Sequence, residues 1–94
     1  SRTEYLDPPI EAAEWGSIQL QVVNHGGSRL HLEFHTTQSP LPDVSDTSIW
    51  RKANRLSVEP GGTEEAVVPA CSAIRVAAMS EGETTYTVYV VNRG

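Results

Sequence analysis

The stretch Ile18-Gln19-Leu20-Gln21-Val22-Val23-Asn24-His25-Gly26-Gly27-Ser28-Arg29-Leu30-His31-Leu32-Glu33-Phe34-His35-Thr36 decides the fold class. Ile18, Leu20 and Val22 alternate with Gln19, Gln21 and Val23; Leu30, Leu32 and Phe34 alternate with Arg29, His31, Glu33 and His35. A period of two sends successive side chains to opposite faces of a strand, so each run reads as a half-buried β-strand with its apolar residues inward. Between them, Asn24-His25-Gly26-Gly27 tolerates positive φ, the chemistry of a tight hairpin turn. The two strands are therefore expected to pair with each other.

The same punctuation continues toward the C-terminus. Arg55 to Glu59 reads as a short strand, Pro60-Gly61-Gly62 as a turn, and Thr63 to Pro69 as another strand. Ser72 to Met79 alternates with Ile74, Val76 and Ala78 on one face, Glu81-Gly82-Glu83 turns the chain, and Thr84 to Asn92 is the longest strand. Strands at about 8–12-residue spacing with Gly and Pro between them indicate a sandwich or barrel, and no run of helical period competes. The expected fold is all-β: a small antiparallel β-sandwich, Ig-like or jelly-roll-like, with about six to seven strands forming one domain over residues 17–94.

Two segments stand outside this pattern. In residues 1–16, Asp7-Pro8-Pro9 stiffens the backbone, because each proline fixes φ and restricts the residue before it. This segment reads as an extended arm or, with Asp7 as a cap, as a short helical turn over residues 8–15. Thr37 to Asn54 is a long irregular connection carrying Pro40, Pro42, Asp43 and Asp46, with Ile49 and Trp50 as the anchor that pins it to the body. Connections of this length in a small domain are usually functional or disordered.

Composition narrows the class. The chain has 94 residues, 38% hydrophobic and 20% charged, with a net charge of −5. Residues 1–50 hold seven of the twelve acids and two of the seven bases. An acidic balance disfavours a nucleic-acid partner, which requires clustered Lys and Arg for counterion release. The longest apolar run, Val88 to Val91, is far short of the roughly 20 residues that span a bilayer. One cysteine, Cys71, cannot form an intrachain disulfide. Ser1 in place of Met is expected of a processed chain or of a segment cut from a longer one. Phosphate-cradling and hydrolase signatures (Gly-x-x-x-x-Gly-Lys, Gly-x-Ser-x-Gly, His-Glu-x-x-His) are absent, so neither a cofactor nor an enzymatic activity is expected.

Several residues remain as candidates. His31, Glu33 and His35 share one strand face at a spacing of about 6.5–7 Å per two residues. Two imidazoles so placed can converge on a metal ion, and a metal-dependent enzyme is the reading that follows from them. The simpler reading is the polar face of a half-buried strand. Trp15, Trp50, Tyr86 and Tyr89 are aromatics that could stack on a sugar or a partner, or plug the ends of a small core. Alternation places Tyr86 and Tyr89 on opposite faces.

Val23-Asn24-x-Gly26, Leu56-x-Val58-x-Pro60-Gly61-Gly62-Thr63 and Gly82-x-x-Thr85-Tyr86 together resemble the sparse pattern of small β-sandwich cytolysins and lectin-like proteins. That resemblance implies recognition of a glycan or a membrane surface.

The final strand carries the leading expectation. Thr84-Thr85-Tyr86-Thr87-Val88-Tyr89-Val90-Val91 is wholly β-branched and aromatic, without a charge. An exposed edge of this kind invites pairing with another chain. It is therefore either a central strand of the monomer or an element paired across a subunit interface. The favoured reading is a non-catalytic interaction module that binds a copy of itself or a larger protein partner. Its expected surfaces are this strand, the arm Tyr5-Leu6-Asp7-Pro8-Pro9-Ile10, and the loop bearing Ile49 and Trp50.

Overall fold

Eight strands in two antiparallel sheets make up the computed structural model, which describes residues 2–82 and 84–94. They are β1 (Arg2–Tyr5), β2 (Ile10–Glu11), β3 (Ile18–Asn24), β4 (Leu30–Thr37), β5 (Arg51–Val58), β6 (Thr63–Val68), β7 (Ala73–Ser80) and β8 (Tyr86–Arg93). The larger sheet runs β1-β7-β4-β5, with β2 also on β7, and the smaller runs β6-β3-β8. The architecture is a small all-β sandwich. Among the described residues no helix is long and apolar enough to cross a membrane. Glu83, one of the residues expected to turn the chain before the last strand, lies outside the described residues.

The inward positions of the alternation are reproduced, while β7 is buried on both faces. Ile18, Leu20 and Val22 of β3, Leu30, Leu32 and Phe34 of β4, and Ile74, Val76 and Ala78 of β7 are all buried in the central cluster. The pairing differs from expectation, however. β3 and β4 do not form a hairpin: β3 lies between β6 and β8, while β4 lies between β5 and β7. Residues 25–29 therefore arch from one sheet to the other. The physical reason lies in the two apolar faces. An arch sets Ile18, Leu20 and Val22 against the other sheet's Leu30, Leu32 and Phe34 across the core, closing a dry layer between sheets.

The glycines of the arch follow from the same geometry. Of the described residues only Gly61 adopts positive φ (+74°), so Gly26 and Gly27 do not serve as left-handed turn residues. Gly26 is instead required by proximity, since a Cβ there would lie 2.6 Å from Thr84 Cα.

Two further boundaries moved. The N-terminal arm contains no helical turn; β1 and β2 are edge strands on β7, interrupted at Asp7-Pro8-Pro9, where β1 pairs Tyr5 with Ala77 and β2 pairs Ile10 with Ile74. β5 begins at Arg51, four residues before the expected Arg55, because pairing with β4 continues past an irregularity at Phe34/His35.

Asn24 closes the arch. Its side chain is fully buried and uses both amide donors and both acceptor positions. Nδ2 donates to Ser28 O (2.8 Å) and Val58 O (3.0 Å), while Oδ1 accepts from Gly26 N (2.9 Å) and Thr84 Oγ1 (2.8 Å). One residue thus ties β3 to the end of β5 and to the approach to β8. Asn24→Ala strands these partners away from water and is expected to cost about 3 kcal/mol. Asn24→Asp exchanges two donors for an acceptor facing two carbonyls and should be at least as damaging. Urea unfolding checks both; an Asn24→Ala midpoint equal to that of the parent chain refutes this role.

Candidate functional site

The outward face of the larger sheet carries a polar cluster that begins with strand register. His35 sits opposite Arg75 of β7 on one side and Lys52 of β5 on the other. Arg75 is 5% exposed, although it projects away from the core. Its Nε donates to His35 Nδ1 (3.0 Å) and its Nη1 to Val44 O (2.7 Å). The guanidinium carbon lies 4.4 Å from the centre of the Tyr5 ring and 5.3 Å from that of Trp50. Two aromatic faces and a carbonyl thus stabilise a buried cation that forms no ion pair among the described residues.

Because Arg Nε can only donate, His35 Nδ1 must accept, and the imidazole proton resides on Nε2. Nε2 then donates to Glu33 Oε1 (3.0 Å), and Lys52 Nζ reaches Glu33 Oε2 at 3.2 Å. Glu33 is held below the usual carboxylate range, first by the His35 hydrogen bond and then by Lys52, with burial opposing. The same cluster pins the long loop: Val44 is held by Arg75, and Trp50 Nε1 donates to Asp43 O at 2.8 Å. Asp43 and Asp46 turn their carboxylates onto Ser45 and Ser48 within that loop.

This geometry does not assemble the expected metal ligands. His35 has one nitrogen occupied by Arg75 and the other by Glu33, so neither lone pair is free for a cation. His31 is exposed and points instead to Ser57, with Oγ and Nδ1 at 3.2 Å. Among the described residues no group of three or more His, Cys, Asp or Glu comes together. Among the described residues no third group orients the His31 imidazole, which nucleophilic catalysis by serine requires. Cys71 is buried, and burial raises its thiol pKa, away from the thiolate form that reacts.

The aromatic candidates are dispersed. Trp50 is buried against Arg75 rather than presented for recognition, and Tyr5 also lies against the same guanidinium. Ile49 is half-buried beside it in the loop. Trp15 packs on the core with Arg93 stacked 5.2 Å from its ring centre. Tyr86 is half-buried against the core, and burial together with Glu4 pushes its phenol pKa up. Tyr89 projects outward from the smaller sheet and is 47% exposed. These residues form no common stacking platform.

β8 is the remaining candidate, and its position corrects one expectation. It is an edge strand, not a central one: β3 occupies one side and, among the described residues, no strand pairs with the other. Tyr89, Val90 and Val91 are exposed there. The other boundaries are guarded. β6 carries exposed Glu64 and Glu65, and Asn54 of β5 donates to Val67 O (3.0 Å) across the corner between the sheets. The β1/β2 edge is short and broken by prolines. Short, charged or proline-interrupted edges resist strand addition, and β8 has none of these defences before Arg93.

The chain matches no protein-family model, and no curated protein matches it.

Two residues important here were not singled out by sequence reasoning. Arg75 was legible as the only charge in an otherwise apolar strand, Ala73-Ile74-Arg75-Val76-Ala77-Ala78. In the sequence Asn24 reads as a turn former and as part of Val23-Asn24-x-Gly26, with no signal of a buried amide.

Glu33 yields a pH prediction. A carboxylate whose folded pKa is depressed contributes stability that is present above its unfolded pKa and is lost as pH falls through the lower folded value. Glu33→Gln should therefore lose about 1 kcal/mol at pH 7 and show a shallower acid limb. Denaturation at pH 7 and at pH 3 measures the difference. Arg75→Met keeps the apolar stem but removes both hydrogen bonds; faster amide exchange confined to residues 43–50 is expected, by hydrogen exchange read with mass spectrometry.

Proposed function

We propose that this protein is a non-catalytic association module that takes up another polypeptide strand along β8. The observation that carries the reading is the unguarded edge: an eight-residue strand, charge-free from Tyr86 to Asn92, paired on one side, with Tyr89, Val90 and Val91 facing solvent. Backbone N–H and C=O groups along such an edge are ready hydrogen-bonding partners for an added strand, and the flanking side chains supply apolar contact.

The arm contributes less than its sequence suggests. Tyr5 and Ile10 belong to strands already committed to β7, so the segment shields one edge of its own sheet rather than reaching for a neighbour. The loop surface is likewise closed by Trp50 and Arg75. Association through β8 alone forms a small interface, the class in which affinities are weak and binding is reversible.

Light scattering after size-exclusion chromatography, at loading concentrations from about 1 to several hundred µM, tests the reading. The parent chain is expected to rise in mass with concentration. Tyr89→Lys places a charge on the outer face, and Val90→Pro removes an edge N–H; each should hold the protein monomeric with an unchanged far-ultraviolet dichroism spectrum. A parent chain that stays monomeric throughout, or a Lys variant that associates equally well, overturns it.

A further inference from the structure

Resting on that reading, the geometry points to a definite occupant of the β8 edge: a second copy of this chain, antiparallel, with the two-fold axis at Val88. We infer this from which backbone groups β8 leaves unpaired. His25 N donates to Thr85 O at 2.8 Å, so Thr85 faces β3. Asn24 meanwhile directs its own backbone groups toward Gly61 and Gly62 on the β6 side, which leaves Val23 and Gln21 to face β8. Their register partners are Thr87 and Tyr89. In an antiparallel ladder the groups alternate sides, so Tyr86, Val88 and Val90 present their N–H and C=O to solvent.

Those three residues set the register. A two-fold at Val88 pairs Val88 with Val88 of the second copy and Tyr86 with its Val90, in both directions, so every outward backbone group from Tyr86 to Val90 finds a partner. Moving the axis to Thr87 would instead match Val90 with Thr84, whose hydroxyl is already engaged by Asn24 and which lies before the strand. Moving it to Tyr89 would match Tyr86 with Asn92, beyond the irregularity in the β3 pairing where Val91 has no partner.

The side chains agree with the Val88 axis. On the outer face Thr87 falls opposite Tyr89 of the second copy, a β-branched and aromatic pair of the kind that stabilises sheets. No charges oppose each other between Tyr86 and Asn92, although the chain as a whole is acidic.

Thr87→Cys and Tyr89→Cys, each in a Cys71→Ala background, distinguish the register. Thr87 and Tyr89 of opposite copies form a non-hydrogen-bonded pair, with Cα atoms about 4.5 Å apart, within disulfide range. Two Thr87 positions, or two Tyr89 positions, are offset by two residues along the strand, which takes them beyond the roughly 7 Å limit. Mixing the two variants under mild oxidation should give roughly tenfold more cross-linked dimer than either variant alone. Equal cross-linking of Thr87→Cys with itself, or of Tyr89→Cys with itself, overturns this register. So does a parent chain that doubles in mass without mixed cross-linking, an outcome that leaves association itself standing. A parent chain monomeric at every concentration overturns both.

Discussion

The structure depends on a buried amide that joins two sheets where they would otherwise part. Asn24 ends β3 in the smaller sheet, yet its Nδ2 is committed to Val58 at the end of β5 in the larger one. Its Oδ1 holds the Gly26 N–H and the Thr84 hydroxyl, and Thr84 leads directly into β8. An amide with both donors and both acceptors used has one allowed placement in a dry environment, because any rotation leaves a buried polar group unpaired. The direction of the arch, the contact between Gly26 and Thr84, and the entry of the last strand all follow from that placement. A sandwich of this size has a modest apolar interior, so directional bonds at its joints carry much of the specificity.

The two outer faces are treated differently. On the larger sheet, Arg75 lies against the rings of Tyr5 and Trp50 and is bonded to His35 and Val44, and the connection from β4 to β5 folds down over it. The chain from Lys52 through Glu33 and His35 to Arg75 alternates cation, carboxylate, neutral imidazole and cation, so that each group has an opposite or complementary neighbour. The smaller sheet has no such cover. Gln19 donates to Glu65 at 2.7 Å across its outer face, and the surface beyond is uncharged up to the rim formed by β8. Order on one side and bareness on the other place the sticky part of the molecule away from its most rigid part.

The strands themselves were plainly legible, because alternation reports directly on which side chains meet water. Ile18, Leu20, Val22, Leu30, Leu32 and Phe34 were all assigned inward, and all are buried. Pairing was not legible, for a physical reason: the same alternation suits a hairpin within one sheet and an arch between two. Asn24-His25-Gly26-Gly27 is compatible with either, and the deciding fact, the closeness of Thr84, involves a residue far along the chain. β8 shows the complementary failure. Its apolar, β-branched composition marks a strand, but composition cannot say whether that strand is central or at an edge, and it lies at an edge. His31, Glu33 and His35 did fall on one strand, yet a register-imposed neighbour, Arg75, took the imidazole that the spacing had offered to a metal.

Prolines 8 and 9, which break the strip of chain along β7, have a bearing on how large any assembly can grow. A sandwich with two receptive rims can add neighbours at each and extend without limit, as fibrils do. Here one rim is interrupted, β5 and β6 meet at a corner bridged by the Asn54–Val67 hydrogen bond, and among the described residues β8 is the long edge left open. Joining two molecules through that rim consumes both. In the proposed pairing the stoichiometry is therefore finite, and growth stops at a closed pair.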